Sequence, residues 1–395
     1  MTSNNISDNI KCNAEIAPVV ISKDIGTDLN FKHVIVWSRV VGFFILHVLG
    51  LWGIYILCSG GVFFKTAIWS KYIHSVAFAY ISCQGTTVGA HRYFTHRTFK
   101  ATPLLRGILL TLQTIAGQNC MYIWCRDHRL HHRYSDTDAD PHNAKRGFFF
   151  SHVGWIMCRK HPYVKQFGKS IDMSDLDSDW MIHFQMKYYY PLYILLAILL
   201  PVMVPVYLFG EDWKNALLVC YLGRYVFELN GTWLVNSAAH IYGTRPYDKN
   251  LKPVESWFVS MITQGEGWHN YHHTFPWDYK AAELGTHFNN SAKLIRLFER
   301  LGMAYDLKTA SPDMVKKRIM RTGDGTHCRL GTEAARAAVT AIGPLHPLNP
   351  TYTTVTEDTL STLTAEGLPL FEHDFIHDIV ELRQRSNLFI IIYST

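Results

Sequence analysis

Long apolar stretches run through the middle of the chain in pairs, separated by short polar connections. Val40 to Phe64 is interrupted only by small and weakly polar residues, and Thr66 to Ala90 carries Lys71 near its start. Leu104 to Trp124 is a third stretch, with Arg106, Gln113, Gln118 and Asn119 inside it. Tyr189 to Leu208 is nearly all apolar, and Asn215 to Val235 follows with Arg224 and Glu228 within it. About twenty apolar residues cross the hydrocarbon core of a bilayer as a helix. The pattern therefore predicts an all-α integral membrane protein with four transmembrane helices, at about 40–64, 66–90, 189–208 and 215–235. A soluble helical protein with a thick core is the alternative. Buried helices of soluble proteins seldom run so long without charge, which counts against it.

Composition agrees. Of 395 residues, 48% are apolar and only 18% charged, against about a quarter charged in an ordinary soluble domain. A disordered or fibrous chain is excluded. The net charge of +6 is spread thinly along the sequence, so no basic arm for nucleic acid is expected. The eight cysteines form no CxxC pair, and Cys58, Cys83 and Cys220 sit inside apolar runs, which reads as free thiols in a reducing setting. Residues 1–35 are polar and mixed in charge and are expected to be a flexible cytosolic segment without a cleaved signal peptide. The membrane domain is expected over 36–320. Residues 321–395, with seven threonines between Thr351 and Thr364, are expected to form a flexible tail. The apolar Leu388 to Ile392 is too short to span.

Histidine is the outlier at 21 residues. His91 and His96 follow the second apolar stretch. His128, His131 and His132 follow the third, and His269, His272 and His273 follow the last, both with the spacing HxxHH. Positions i, i+3 and i+4 share one helix face, so each triplet presents three imidazoles together. One site built from all three clusters requires them on one side of the bilayer. Two spans separate the second cluster from the third, but only Leu104 to Trp124 separates the first from the second. That segment therefore cannot cross and is expected to be a re-entrant or interfacial helix, part of a cytosolic helical cap. Arg92, Arg97, Lys100, Arg126, Arg129, Arg133, Lys145, Arg146, Arg159 and Lys160 all fall on the histidine side, which the positive-inside rule places in the cytosol with both termini.

Eight clustered imidazoles exceed the needs of one transition-metal ion, so two metals are expected, and nitrogen-bound iron suits a site with few thiolates. His240 is a candidate ninth ligand, and Asn236, one turn earlier, a candidate holder of a metal-bound water. Asp127, Asp136, Asp138 and Asp140 lie around the second triplet. They are placed to orient imidazole N–H groups; for Asp136 and Asp138 a plain solvated loop is an equal reading. His33, His47, His74, His142, His152 and His183 stand apart and read as ordinary buried or surface histidines.

The chain then resembles a family. Gly89-Ala-His-Arg92, Trp124-Cys-Arg-Asp-His-Arg-Leu-His-His132, Asp140-Pro-His-Asn143, Gly147-Phe-Phe-Phe-Ser-His-Val-Gly-Trp155, Thr232-Trp-Leu-Val-Asn-Ser-Ala-Ala-His240 and Gly265-Glu-Gly-Trp-His-Asn-Tyr-His-His-Thr-Phe-Pro276 are similar to motifs of the membrane-bound acyl-CoA desaturases of the stearoyl-CoA, delta-9 type, in animal and insect form. The likeness runs from about Val36 to His327. It implies a di-iron centre (Fe2+) held by His91, His96, His128, His131, His132, His240, His269, His272 and His273, with Asn236 reaching one iron through water. It also implies O2 as co-substrate and electrons from cytochrome b5 and its reductase. Gln118, Trp124 and Thr232 would line the bend of an acyl tunnel, and Asn119, Arg126, Asp127, Trp155, Arg159, Lys160 and Trp233 would contact coenzyme A. A polyanionic head group beside Arg159 and Lys160 also makes physical sense, although a basic pair near a bilayer equally attracts anionic lipid.

The chain departs from the family pattern in places. Ser38-Arg39 stands where Arg-Asn is usual, Tyr93-Phe94-Thr95 where Leu-Trp-Ser is usual, and Ala79 and Cys83 where some relatives carry Tyr and Ala near the tunnel end.

The resemblance implies insertion of a cis double bond into a saturated fatty acyl-CoA, with carbons 9 and 10 as the expected position, at the endoplasmic reticulum membrane. Another position such as 11, or a membrane di-iron hydroxylase, is the near alternative. A histidine-rich transporter or receptor is the distant one, and it would need polar groups along a transmembrane path. His161-Pro162 and His346-Pro347 do not continue into a haem-binding HPGG signature, so the electron donor is expected to be a separate protein.

Overall fold

The computed structural model describes residues 25–59, 67–283 and 288–331. Helix α1 spans Trp37–Cys58, and its 22 residues bury little besides Gly50 and Gly53. Val41, Phe44, Ile45, Val48, Leu51, Trp52 and Tyr55 all point outward and are exposed. A continuous apolar face of this extent suits a bilayer or a protein partner better than water. The helical run Tyr189–Phe209 has the same character, and these two are the helices that are long and apolar enough to cross a membrane among the described residues.

The other two expected spans are also helical, and their winding changes midway, as that of Tyr189–Phe209 does over the π-helical Ile194–Leu199. Helix α2, Ala67–Gln84, continues as a π-helix over Gly85–Thr95. Trp213–Ala216 continues through a π-helical stretch, Leu217–Gly223, into Arg224–Asn236. Gly53 is why α1 can lie against that stretch. A Cβ there would sit 1.9 Å from the Leu218 carbonyl oxygen, and one at Gly50 would sit 2.4 Å from Val226 Cγ2. Small residues spaced this way let helix backbones approach closely in lipid, where dispersion and not the hydrophobic effect drives helix association.

The expected third segment is two helices. Helix α3, Pro103–Ala116, is started by the Thr102 side chain and Pro103, and stopped by Gly117 in the left-handed region (φ 69°). Its fourteen residues extend roughly 21 Å, and it packs against the π-helical Gly85–Thr95 and α2. The chain turns at Asn119 (φ 80°) and re-enters helix α4 at Met121–Tyr134. Around α4 lies a buried apolar cluster that includes Phe94, Leu105, Leu109, Met121, Cys125 and Ile182. A two-stranded antiparallel pairing of Lys100–Ala101 with Ala304–Tyr305 closes the cap nearby.

Two boundaries differ from expectation. Part of the N-terminal segment expected to be flexible is tied to the cap: Asp28 N–H donates to Asp138 (2.9 Å), and Thr27 donates to the Asp136 carbonyl. At the other end, residues 321–331 dock on the cap through Thr322 on the Tyr247 carbonyl and His327 on Glu283. The threonine-rich stretch and Leu388 to Ile392 lie outside the described residues.

The close approach at Gly53 yields a test. Gly53→Val overpacks the interface and is expected to cost about 1–3 kcal/mol, read as a melting point several degrees lower in detergent. Gly42→Val, where an added Cβ meets nothing within 4 Å, is expected to melt as the parent does.

Candidate metal centre and acyl cavity

The first histidine pair is separated by five positions. On an α-helix that offset rotates the second side chain about 140° away from the first. The π-helical winding of Gly85–Thr95 removes the mismatch: the His96 N–H reaches the His91 carbonyl at 3.2 Å, and the two rings meet at 5.0 Å between centroids. π-helical turns are rare and occur mostly at functional sites. This one sets the ligand geometry.

Each HxxHH triplet shares one face, as expected, and is divided between two groups. His91, His96, His128, His132 and His272 form one group whose facing nitrogens all lie within 4.8 Å of one another. His131, His240, His269 and His273 form the second on the same criterion. Helix α4 therefore sends the i, i+4 pair His128 and His132 to one group and His131 to the other. Helix His269–Thr274 does the converse, sending His269 and His273 to the second group and His272 to the first. The groups touch where His132 and His273 stack at 4.1 Å. All nine histidines named from the sequence are thus brought together.

Carboxylates fix the rings from behind. Glu266 accepts from His91 Nδ1 at 2.7 Å, Asp140 from His131 Nδ1 at 2.8 Å, and Asp136 from His240 Nδ1 at 3.0 Å. An N–H donated at Nδ1 leaves Nε2 as a lone pair aimed into the cluster, the arrangement of carboxylate-oriented metal ligands. Asp136 and Asp140 therefore act as the sequence suggested. Asp138 instead holds Arg146 (2.6 Å), and Asp127 holds Arg126 (2.8 Å) and Lys160. Glu266 was not singled out as a ring-orienting group from the sequence. Its signal is its place in Gly265-Glu-Gly directly before the third cluster. Against the cost of burial, Arg92 and His91 hold its carboxyl down at about 2. His142, read from the sequence as an ordinary histidine, lies beside His131 (4.4 Å between rings) and groups with His131 and Asp140.

The cluster fits cations. His91 Nε2 and His132 Nε2 both face His272 Nε2, at 2.9 and 3.0 Å, although a neutral imidazole has a single N–H to give and His91 gives it to Glu266. His96 Nε2 is buried with no hydrogen-bond partner. Burial first, and then the neighbouring imidazoles, hold the basicity of His128, His132, His269, His272 and His273 well below the usual histidine value. Desolvation does the same for His96. These rings are neutral, the form that ligates metal.

A cavity of about 250 Å³ opens from this cluster between α2 and helix Arg224–Asn236. His91, His128 and His269 are at one end, and Val76, Ala79 and Tyr80 are on its wall further back along α2. Gln118, Trp124, Thr232 and Asn236 also line it, and Gln118 donates to Thr232 Oγ1 at 2.8 Å. The expected coenzyme A contacts are more dispersed. Trp155, Arg159 and Lys160 border one small surface cleft. Arg126 and Lys160 both engage Asp127. Asn119 is exposed at the turn before α4. Trp233 is 97% buried against the rings of Phe43, His47 and His152 and does not line the cavity. Arg39, in the departure Ser38-Arg39, donates to the Ile156 and Cys158 carbonyls and so ties α1 to the cap.

Residues 67–307 match the sequence model of the fatty acid desaturase family. The chain is 51% identical over 298 residues to the "Acyl-CoA Delta-9 desaturase" of Acheta domesticus, covering 75% of this chain and 81% of that relative. It is 50% identical over 297 residues to the "Acyl-CoA Delta(11) desaturase" of Spodoptera littoralis, covering 75% and 86%. It is 46% identical over 294 residues to the "Stearoyl-CoA desaturase" of Homo sapiens, covering 74% and 79%. The histidine clusters, the cavity they border and this extent of identity together establish that the chain belongs to the fatty acid desaturase family and is an oxidoreductase of the acyl-CoA desaturase kind.

Proposed function

We propose that this protein inserts a cis double bond into a saturated fatty acyl-CoA, most often between carbons 9 and 10, as a four-pass enzyme of the endoplasmic reticulum membrane with cytosolic termini. One observation carries the reading. The cavity wall includes His91 and His128 of one histidine group and His269 of the other, so a chain lying in the cavity passes both. His91, His96, His128, His132 and His272 would hold one iron; His131, His240, His269 and His273, with Asn236 through a water, would hold the second. Bound iron supplies the oxidising power, drawn from O2 and from electrons of cytochrome b5 and its reductase, that takes hydrogen from two neighbouring unactivated methylenes. The names of the similar relatives include both Delta-9 and Delta(11) enzymes, so position 11 is the competing regiochemistry.

The chain's own residues bind and orient. Apolar burial contributes about 0.8 kcal/mol per methylene, so the tail dominates affinity. Gln118 and Thr232, bonded to each other on the cavity wall that Trp124 also lines, would set which carbons face the histidines. Glu266, Asp140 and Asp136 hold ring tautomers fixed. The head group docks outside, where Arg159 is exposed and Lys160 sits beside it.

Expression in a desaturase-deficient yeast, with gas-chromatographic mapping of the products, is expected to yield cis-monounsaturated acids. Exclusive formation of alcohols would replace this reading with a hydroxylase. The purified protein is expected to carry about two irons. Asp140→Asn is expected to weaken metal retention about 10- to 100-fold, read as iron lost to a chelator while the circular dichroism spectrum holds. Replacing both Arg159 and Lys160 with Ala is expected to raise KM for stearoyl-CoA and flatten its salt dependence without moving the double bond. A glycosylation acceptor inserted at Gly210 is expected to be modified and one at Asn143 to remain unmodified. Modification at Asn143 would overturn the topology.

A further inference from the structure

Both carboxylates that orient rings of the second histidine group, Asp136 and Asp140, lie on the loop that follows α4. Asp136 is the more demanding of the two. It is buried, and its backbone sits in the left-handed region (φ 58°), which a residue with a side chain keeps only where its surroundings hold it. Its side chain is already engaged: Oδ2 accepts from His240 at 3.0 Å and from the Ser135 hydroxyl at 3.2 Å, and Oδ1 accepts from the Ala144 N–H at 3.0 Å. What fixes the turn of its peptide is therefore its carbonyl.

That carbonyl is held by a residue more than a hundred positions earlier in the chain. Thr27 Oγ1 donates to it at 3.1 Å and accepts from Asn143 Nδ2 at 2.8 Å, so one hydroxyl ties the start of the loop to its end. Neighbouring bonds hold Thr27 in place. The Asp138 N–H donates to the Gly26 carbonyl (3.0 Å), the Asp28 N–H donates to Asp138 Oδ2 (2.9 Å), and Arg146 donates to the Asp28 carbonyl (3.0 Å). Phe31 then packs edge-on against His161, at 4.1 Å between rings. Just before α1 begins, the Arg159 N–H donates to the Val34 carbonyl (2.9 Å) and the Val36 N–H donates to the Met157 carbonyl (2.8 Å). Residues 26–36 thus form a strap that runs from the Asp136 loop to α1.

The first histidine group is supported from elsewhere. Glu266, behind His91, accepts from Arg92 at 2.6 Å, and Arg92 also donates to the Tyr279 carbonyl (3.0 Å) and to Asn289 (3.2 Å). The two groups touch, but their orienting carboxylates have separate anchors. We propose that the strap is a positioning element for the second group alone, in which Thr27, acting through Asp136, holds His240 in its ligating orientation. This rests on the two-iron reading above and gives each iron its own support. Thr27→Val keeps the shape of the side chain and removes both of its bonds. The amide of Asn143, a buried residue, then loses its acceptor, and the Asp136 carbonyl loses the donor that fixes it.

The test counts iron per chain by mass spectrometry in full-length protein in nanodiscs after timed exposure to a chelator. Removing an outer partner of a metal ligand weakens retention about 10- to 100-fold, and Thr27 stands one step further out, so Thr27→Val is expected to release one of the two irons about tenfold faster. The other iron is expected to leave at the parent rate, and Thr27→Ser, which keeps the hydroxyl, to restore both. Thr27→Val combined with Asp140→Asn, whose carboxylate serves the same group, is expected still to hold one iron at the parent rate. Gly53→Val lowers stability at a distant helix contact and is expected to leave both release rates as they are. In the metal-free protein, hydrogen exchange over residues 136–144 is expected to quicken in Thr27→Val while that over Gly85–Thr95 holds. Unchanged release from Thr27→Val, equal acceleration of both irons, or the same loss from Gly53→Val would overturn the proposal and leave the two-iron reading standing. A parent protein that purifies folded and active without iron would sink that reading and this inference with it.

Discussion

Packing nine imidazoles against one another in the cap is the constraint on which the rest of this structure depends. A neutral imidazole has one donor and one acceptor, and rings that face one another nitrogen to nitrogen cannot all be satisfied by protons. The cap answers this from two directions. Carboxylates at the backs of His91, His131 and His240 take the N–H of each ring, and the inward lone pairs are left for cations. Those carboxylates need anchoring in turn. Arg92 donates to Glu266, and the Asp136 N–H and His142 N–H donate to Asp140. The cluster is held by a shell of ion pairs and loop backbone as much as by the helices that carry the rings.

The same site imposes demands on the lipid-facing helices below it. His91 and His96 come from a helix whose lower part is α2, and the chain before His240 is the helix ending at Asn236. Both elements wind wider within the protein, over Gly85–Thr95 and Leu217–Gly223. The first widening aligns the ligand pair, and the second lies where Gly50 and Gly53 let α1 press against the helix. These two departures from α-helical winding thus bring a histidine pair together at one place and accompany close packing at the other.

Arg224 and Glu228 show how charge is tolerated in such a helix. The pair is i, i+4 on one face at 3.1 Å, and Arg224 also donates to the Ala197 and Ile115 carbonyls. A buried ion pair seldom adds net stability over apolar residues, but breaking it exposes an uncompensated charge to an apolar surrounding. Of the pair, Glu228 lines the cavity and Arg224 does not.

Much of this was legible from residue order alone. The apolar runs, the three histidine clusters and the parity argument against a crossing third segment all depend on spacing, and the third stretch folds as two helices, α3 and α4. Motif likeness named the family and all nine histidines that the fold brings together. Other features depended on contacts between distant segments, which no local pattern encodes. Spacing alone placed each HxxHH triplet on one arc, but only the mutual approach of α4 and helix His269–Thr274 divides each triplet between two groups. Glu266 was not singled out from the sequence and the fold brings it against His91, and His142 read as ordinary until the loop after α4 folded it beside His131. The π-helical turn that aligns His91 with His96 is likewise a tertiary decision, since a helix accepts the wider winding only where neighbours and ligands repay it. Residue spacing determined which side chains belong to the site. Packing between segments far apart in the chain decided which atom of each faces which, because a hydrogen-bond partner is chosen by proximity in space and not along the sequence.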